Sequence, residues 1–110
     1  MYTSRFSFHV KPYQARIAVY KKLGDLDAAE RDYAEVVRWE TNWHSYWMRA
    51  TFFEEVRKDL PKAIADYTTA IQLAEREKHV NPEMLYRSRG KLYERLGESE
   101  KAAADFERAK

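Results

Sequence analysis

No cysteine occurs among the 110 residues. That excludes disulfides, thiolate nucleophiles and cysteine metal sites. Only three glycines and three prolines are present, too few for a chain built on tight turns. No apolar run approaches the roughly 20 residues that cross a bilayer, and the mean hydropathy is -0.80. The opening MYTSRFSFHV lacks the basic, greasy and small-residue layout of a secretory leader. A cytoplasmic location, with a nuclear one as the alternative, is the resulting expectation. Charge of one sign is also missing: 20 Lys and Arg face 18 Asp and Glu, a net +2. Neither a nucleic acid nor a membrane partner is therefore expected. His9, His44 and His79 are scattered, and no two share a helix face at ligand spacing. No HExxH, phosphate loop or dinucleotide fingerprint occurs, and no spacing marks a nucleophile with its base. The expectation is a chain without catalytic residues, metal or cofactor.

What the chain has is helix formers: alanine, leucine, glutamate, lysine and arginine are plentiful. At 45% hydrophobic and 35% charged, it has the composition of one folded domain rather than a disordered polymer. Three segments align, opening at Tyr13, Tyr46 and Tyr86. Each has Arg three residues later: Arg16, Arg49, Arg89. Ile17, Ala50 or Gly90 follows, then Tyr20, Phe53 or Tyr93. A second half carries Ala29, Ala63 or Ala102, then Tyr33, Tyr67 or Phe106, then Val36, Ala70 or Ala109. The three-and-four spacing puts each set on one helix face.

Gly24 and Gly97 suit left-handed helix closures. The second segment has Arg57-Lys58-Asp59 there, one residue longer and without glycine. Pro61 and Pro82 suit first helical turns, Asn81 caps the fifth helix, and Thr41 or Asn42 caps the third. Helices are expected at about 11–23, 26–39, 43–56, 61–78, 82–95 and 99–109. Residues 1–9 read as a tail: a disordered end or leading helical turn, with a short extended piece as the alternative from the alternation of Phe6, Phe8 and Val10. The units are then 10–42, 43–81 with an extended second helix, and 82–110. The predicted core is Tyr13, Ile17, Tyr20, Leu23, Ala29, Tyr33, Val36, Tyr46, Ala50, Phe53, Ala63, Tyr67, Ala70, Tyr86, Gly90, Tyr93, Ala102 and Phe106, with Gly90 permitting close helix contact. The arginines read as packed stems with solvated heads, or alternatively as a ligand-binding ladder.

This pattern resembles the tetratricopeptide repeat. The third segment fits best, through Tyr86, Gly90, Tyr93, Gly97, Ala102, Phe106 and Ala109. The resemblance implies an all-α, right-handed α-solenoid of three antiparallel helix pairs. It also implies a protein-interaction module whose first helices line a concave groove. Carried onto this chain, the groove takes Lys11, Gln14, Ala15, Ala18 and Lys22, then His44, Trp47, Met48, Thr51 and Glu55, then Met84, Arg87, Ser88, Lys91 and Arg95. The asparagines with which some members clamp a terminal carboxylate are replaced by Ala15 and Met48. Trp47, with Met48 and Met84, is the expected apolar anchor for a peptide or partner helix; Lys11, Lys22, Arg87 and Lys91 are the expected carboxylate contacts. The competing reading packs Trp47 against Trp43 or a neighbouring helix. Glu54, Glu55, Arg57, Lys58 and Asp59 read as a solvated charged face, or alternatively as part of a contact surface.

A hairpin cannot bury its apolar face alone, so a repeat needs neighbours. The chain stops at Lys110 without a polar closing helix, leaving Leu92, Ala103 and Phe106 as expected open surface. A self-associating structural scaffold, including an engineered or excised array, is therefore the alternative function, with homo-oligomers formed through the C-terminal hairpin.

Overall fold

A computed structural model describes residues 2–110, with side chains from His9 onward. Its elements are α1 (Tyr2–Leu23), α2 (Leu26–Trp39), α3 (Trp43–Phe52), a π-helical turn (Phe53–Arg57), α4 (Leu60–Glu75), α5 (Glu83–Arg95) and α6 (Ser99–Arg108). Helices pack in consecutive pairs, α1 with α2, α3 with α4 and α5 with α6, and α5 also packs on α4. The chain forms two compact units, 1–41 and 42–110. The first is a single hairpin. The second stacks two hairpins through α4 and α5, the arrangement of a helical-repeat solenoid.

Helix starts are set by short polar side chains that satisfy amides the helix cannot bond itself. The Asp25 carboxylate accepts from the Ala28 amide at 3.2 Å. Asn42, rather than Thr41, caps α3, and Ser45 bonds back to close a capping box. Asp59 accepts from Lys62 at 3.2 Å, and Pro61 occupies the first turn of α4. At α5 the N-cap position falls to Pro82 rather than to Asn81, and Asn81 accepts from the Glu83 amide at 2.9 Å from one residue further out.

Two boundaries differ from expectation. α1 begins at Tyr2, well before 11, and takes Pro12 into its interior, where one backbone bond is forfeited. The helical backbone removes the extended alternative for this stretch. The alternation of Phe6 and Phe8 lies outside the residues whose side chains are described. α4 ends at Glu75 rather than 78.

Each hairpin is closed by the cap residue reaching back to its repeat aromatic. Asp25 N donates to Tyr20 O and Glu98 N to Tyr93 O, both at 2.9 Å. Gly24 and Gly97 make these turns at φ 78 and 79, a conformation glycine enters without a Cβ penalty. In the second hairpin Asp59 N donates to Phe53 O at 2.8 Å, across one more residue. The surplus is taken up by the π-helical turn and by Lys58 at φ 58.

The repeated arginines do more than project solvated heads. Each forks onto an aspartate of its own hairpin. Arg16 holds Asp32 at 3.0 and 2.6 Å. Arg49 holds Asp66 at 2.7 and 2.9 Å. Arg89 holds Asp105 at 2.9 and 2.7 Å. The three aspartates are 3%, 5% and 3% exposed, so these two-point pairs supply the partners that buried carboxylates require. The hydrogen bonds to Asp32 and Asp105 push the Arg16 and Arg89 pKa values upward. Tyr13, Tyr46 and Tyr86, the residues that open the repeats, lay their rings against the same guanidiniums at 5.4–5.6 Å.

Around these pairs lie Ile17, Ala29, Tyr33 and Val36 in the first unit and Ala50, Phe53, Ala63, Tyr67, Ala70, Tyr86 and Ala102 in the second, all buried as predicted. A Cβ on Gly90 would lie 2.9 Å from a Phe106 ring carbon and 3.2 Å from Asp105 Cβ. The glycine thus sits at a close approach of α5 and α6. Leu23 was expected in the core but is 74% exposed at the end of α1. Leu92 was expected on the open surface but is fully buried.

Candidate functional site

The proposed contact residues divide between the two units. Lys11, Gln14, Ala15, Ala18 and Lys22 stand exposed on α1 in the first. In the second, α3 supplies His44, Trp47, Met48 and Thr51, the π-helical turn supplies Glu55, and α5 supplies Met84, Arg87, Ser88, Lys91 and Arg95.

One hydroxyl ties the second group together. Tyr67 on α4 is buried and donates to Glu54 Oε1 at 2.8 Å. The hydroxyls of Thr51, from α3, and Ser88, from α5, lie near enough to it to favour the phenolate slightly, against the larger effect of burial. Burial pushes the Tyr67 phenol up to about 12 because the interior disfavours the phenolate. Thr51 additionally donates to the Trp47 carbonyl at 2.9 Å. The result is a polar floor shared by three helices. Sequence reasoning treated Tyr67 only as packing and missed it; the π-helical turn that carries Glu54 is what places the carboxylate there.

Met48 on α3 and Met84 on α5 are 39% and 43% exposed. Trp47 is half-buried. Its ring lies 6.4 Å from Trp43 and 5.4 Å from His44, tilted to both. The Trp43 packing therefore exists, and it leaves Trp47 partly open to solvent. Lys91 and Arg95 are exposed toward the other end of α5, and neither makes an ion pair among the described residues. Arg87 departs from expectation. It donates to the Ala109 carbonyl at 3.1 Å, serving the C-terminal end of α6, where helix carbonyls lack partners. The repeated arginines are likewise engaged within their hairpins. They do not form a free ligand ladder.

Among the described residues no three His, Asp or Glu side chains converge as metal ligands, and no helix is long and apolar enough to cross a membrane.

A family model described as the tetratricopeptide repeat matches residues 18–42 and 85–110. The chain carries tetratricopeptide repeats. No curated protein matches its sequence. The two matched stretches fall in the first and third hairpins. The second hairpin lies outside them, yet it has the same forked Arg–Asp pair and the same tyrosine over the guanidinium. It is a tetratricopeptide-like hairpin with an altered turn. Such repeats generally serve as protein–protein interaction modules.

Proposed function

We propose that the chain is a non-catalytic interaction module that binds a peptide or partner helix on the face shared by α3 and α5. The observation that carries this reading is the two exposed methionines and the half-open tryptophan on α3 and α5, the first helices of two stacked hairpins. Methionine adapts to irregular apolar partners, and tryptophan concentrates binding energy when a partner desolvates it. Lys91 and Arg95 add uncommitted positive charge at the end of α5 opposite Met84, which favours carboxylates in the bound segment. Lys11, Gln14 and Lys22 on α1 and His44 on α3 are secondary contacts in this proposal. Arg87 is not, because its guanidinium already serves α6.

The test is capture of a partner on the immobilised chain, followed by titration of that partner against Trp47→Ala and Lys91→Glu. Trp47→Ala is expected to weaken binding about tenfold or more, and Lys91→Glu to slow association. If both variants remain folded and bind the partner as the parent does, binding takes place elsewhere.

A further inference from the structure

The second unit displays how one hairpin seats on another. Arg89 on α5 spends two nitrogens on Asp105 and turns the third, Nη1, across to Thr68 Oγ1 on α4 at 3.0 Å. Leu92, three residues on along the same α5 face, is 0% exposed. α1 carries the same face. Arg16 stands where α5 has Arg89, Val19 where it has Leu92, and Leu23 where it has Leu96. Here the face is bare. Val19 is 54% exposed and Leu23 is 74% exposed. Arg16 is 55% exposed along its side chain, and its Nη1 donates to nothing among the described residues.

The complementary face occurs on α6. The residue after the second-helix aromatic is Thr68 in α4 and Glu107 in α6. Glu107 is exposed and holds only a surface contact with Lys110 at 3.1 Å, the weak kind of pair that exchanges readily. Beside it, Ala103 is exposed and Phe106 half-buried. At the one polar point of the seat, α1 offers a cation where α6 offers an anion. The cation-to-hydroxyl bond of Arg89 and Thr68 becomes an ion pair, charged on both sides.

We propose that the chain associates head to tail, the Arg16–Val19–Leu23 face of one copy seating on the Ala103–Phe106–Glu107 face of a second. The two faces differ, so the contact is heterologous. It leaves one free head and one free tail on every assembly, and growth proceeds past two copies. This inference is independent of peptide binding on α3 and α5.

Sedimentation of the 110-residue chain over a wide concentration range tests it. The mean mass is expected to rise with concentration and to pass that of a dimer. The double variant Val19→Glu, Leu23→Glu blocks the head, and Glu107→Lys blocks the tail. All three sites are exposed, and circular dichroism confirms that the helices persist. Each variant alone is expected to associate about tenfold more weakly or worse. Mixed in equal amounts, they are expected to form assemblies of two copies and none larger, joining the free tail of one to the free head of the other. A parent chain that stays monomeric throughout overturns the proposal. So do variants that associate like the parent, or a mixture that forms no heterodimer.

Discussion

In the first and third hairpins the turn is a glycine at positive φ, whereas in the second it is a π-helical turn followed by a lysine in the same left-handed region. The sequence separation between the paired Arg and Asp is 16, 17 and 16 residues. One extra residue has entered the second hairpin, yet its ion pair keeps the geometry of the other two. Magnitudes explain which part gives way. A left-handed lysine costs roughly 1–2 kcal/mol, and a π turn merely rearranges backbone bonds. Separating a buried arginine from its buried carboxylate costs about 3–5 kcal/mol. The turn therefore deforms and the pair does not. The deformation also brings Glu54 onto the Tyr67 hydroxyl, so the irregular turn and the polar floor are one event.

The largest expected effect comes from breaking what the hairpins share. Asp66→Ala or Asp105→Ala is expected to lose about 3 kcal/mol or more in urea unfolding, because Arg49 and Arg89 are only 22% and 16% exposed along their side chains. Asp32→Ala is expected to cost less, since Arg16 reaches solvent.

Alkaline pH acts through a different tyrosine in the third hairpin. Tyr33 and Tyr67 have raised pKa values, whereas the third hairpin has Phe106 at that place and its raised phenol is Tyr86 on α5. A raised folded value means the contribution to stability is whole below the unfolded pKa of about 10 and is lost as pH climbs through the folded one, about 12 for Tyr67. Thermal unfolding between these limits should therefore steepen its fall, and Tyr67→Phe should flatten it.

Smaller effects lie in the turns, with opposite signs. Gly97→Ala is expected to destabilise by about 1 kcal/mol, because its φ of 79 disfavours a Cβ. Lys58→Gly is expected to stabilise by about 0.5 kcal/mol, the relief of strain being partly offset by a looser unfolded chain. If Lys58→Gly instead destabilised the protein in the same urea assay, the account of the second turn would be wrong.

Much of this was legible before any coordinates. Periodicity located α2 and α6 almost to the residue, because a turn glycine and apolar spacing agree before both, with a capping Asp25 added at α2. The regularity of Arg16, Arg49 and Arg89 was visible too, but its purpose was not. The partners Asp32, Asp66 and Asp105 each follow the repeat alanine by three residues and precede the aromatic. That signal was present and went unread, since a carboxylate on a helix is ordinarily taken as solvated. The π turn has no compositional mark: Glu54, Glu55, Val56 and Arg57 are ordinary helical residues. Only the 17-residue separation betrays it, and only once the aspartate is recognised as a partner. Leu23 obeyed the apolar period but fell where α1 stops. Arg87 obeyed the groove register, but the nearby end of α6 took its guanidinium.

The forked pairs carry one more consequence. If a helix slid along its neighbour by a single turn, roughly 5.4 Å, greasy side chains would find other greasy side chains and lose little. The guanidinium would overshoot its carboxylate, stranding a negative charge in the dry interior. Each hairpin thus contains its own proofreader, indifferent to the rest of the molecule, which rejects every alignment but one.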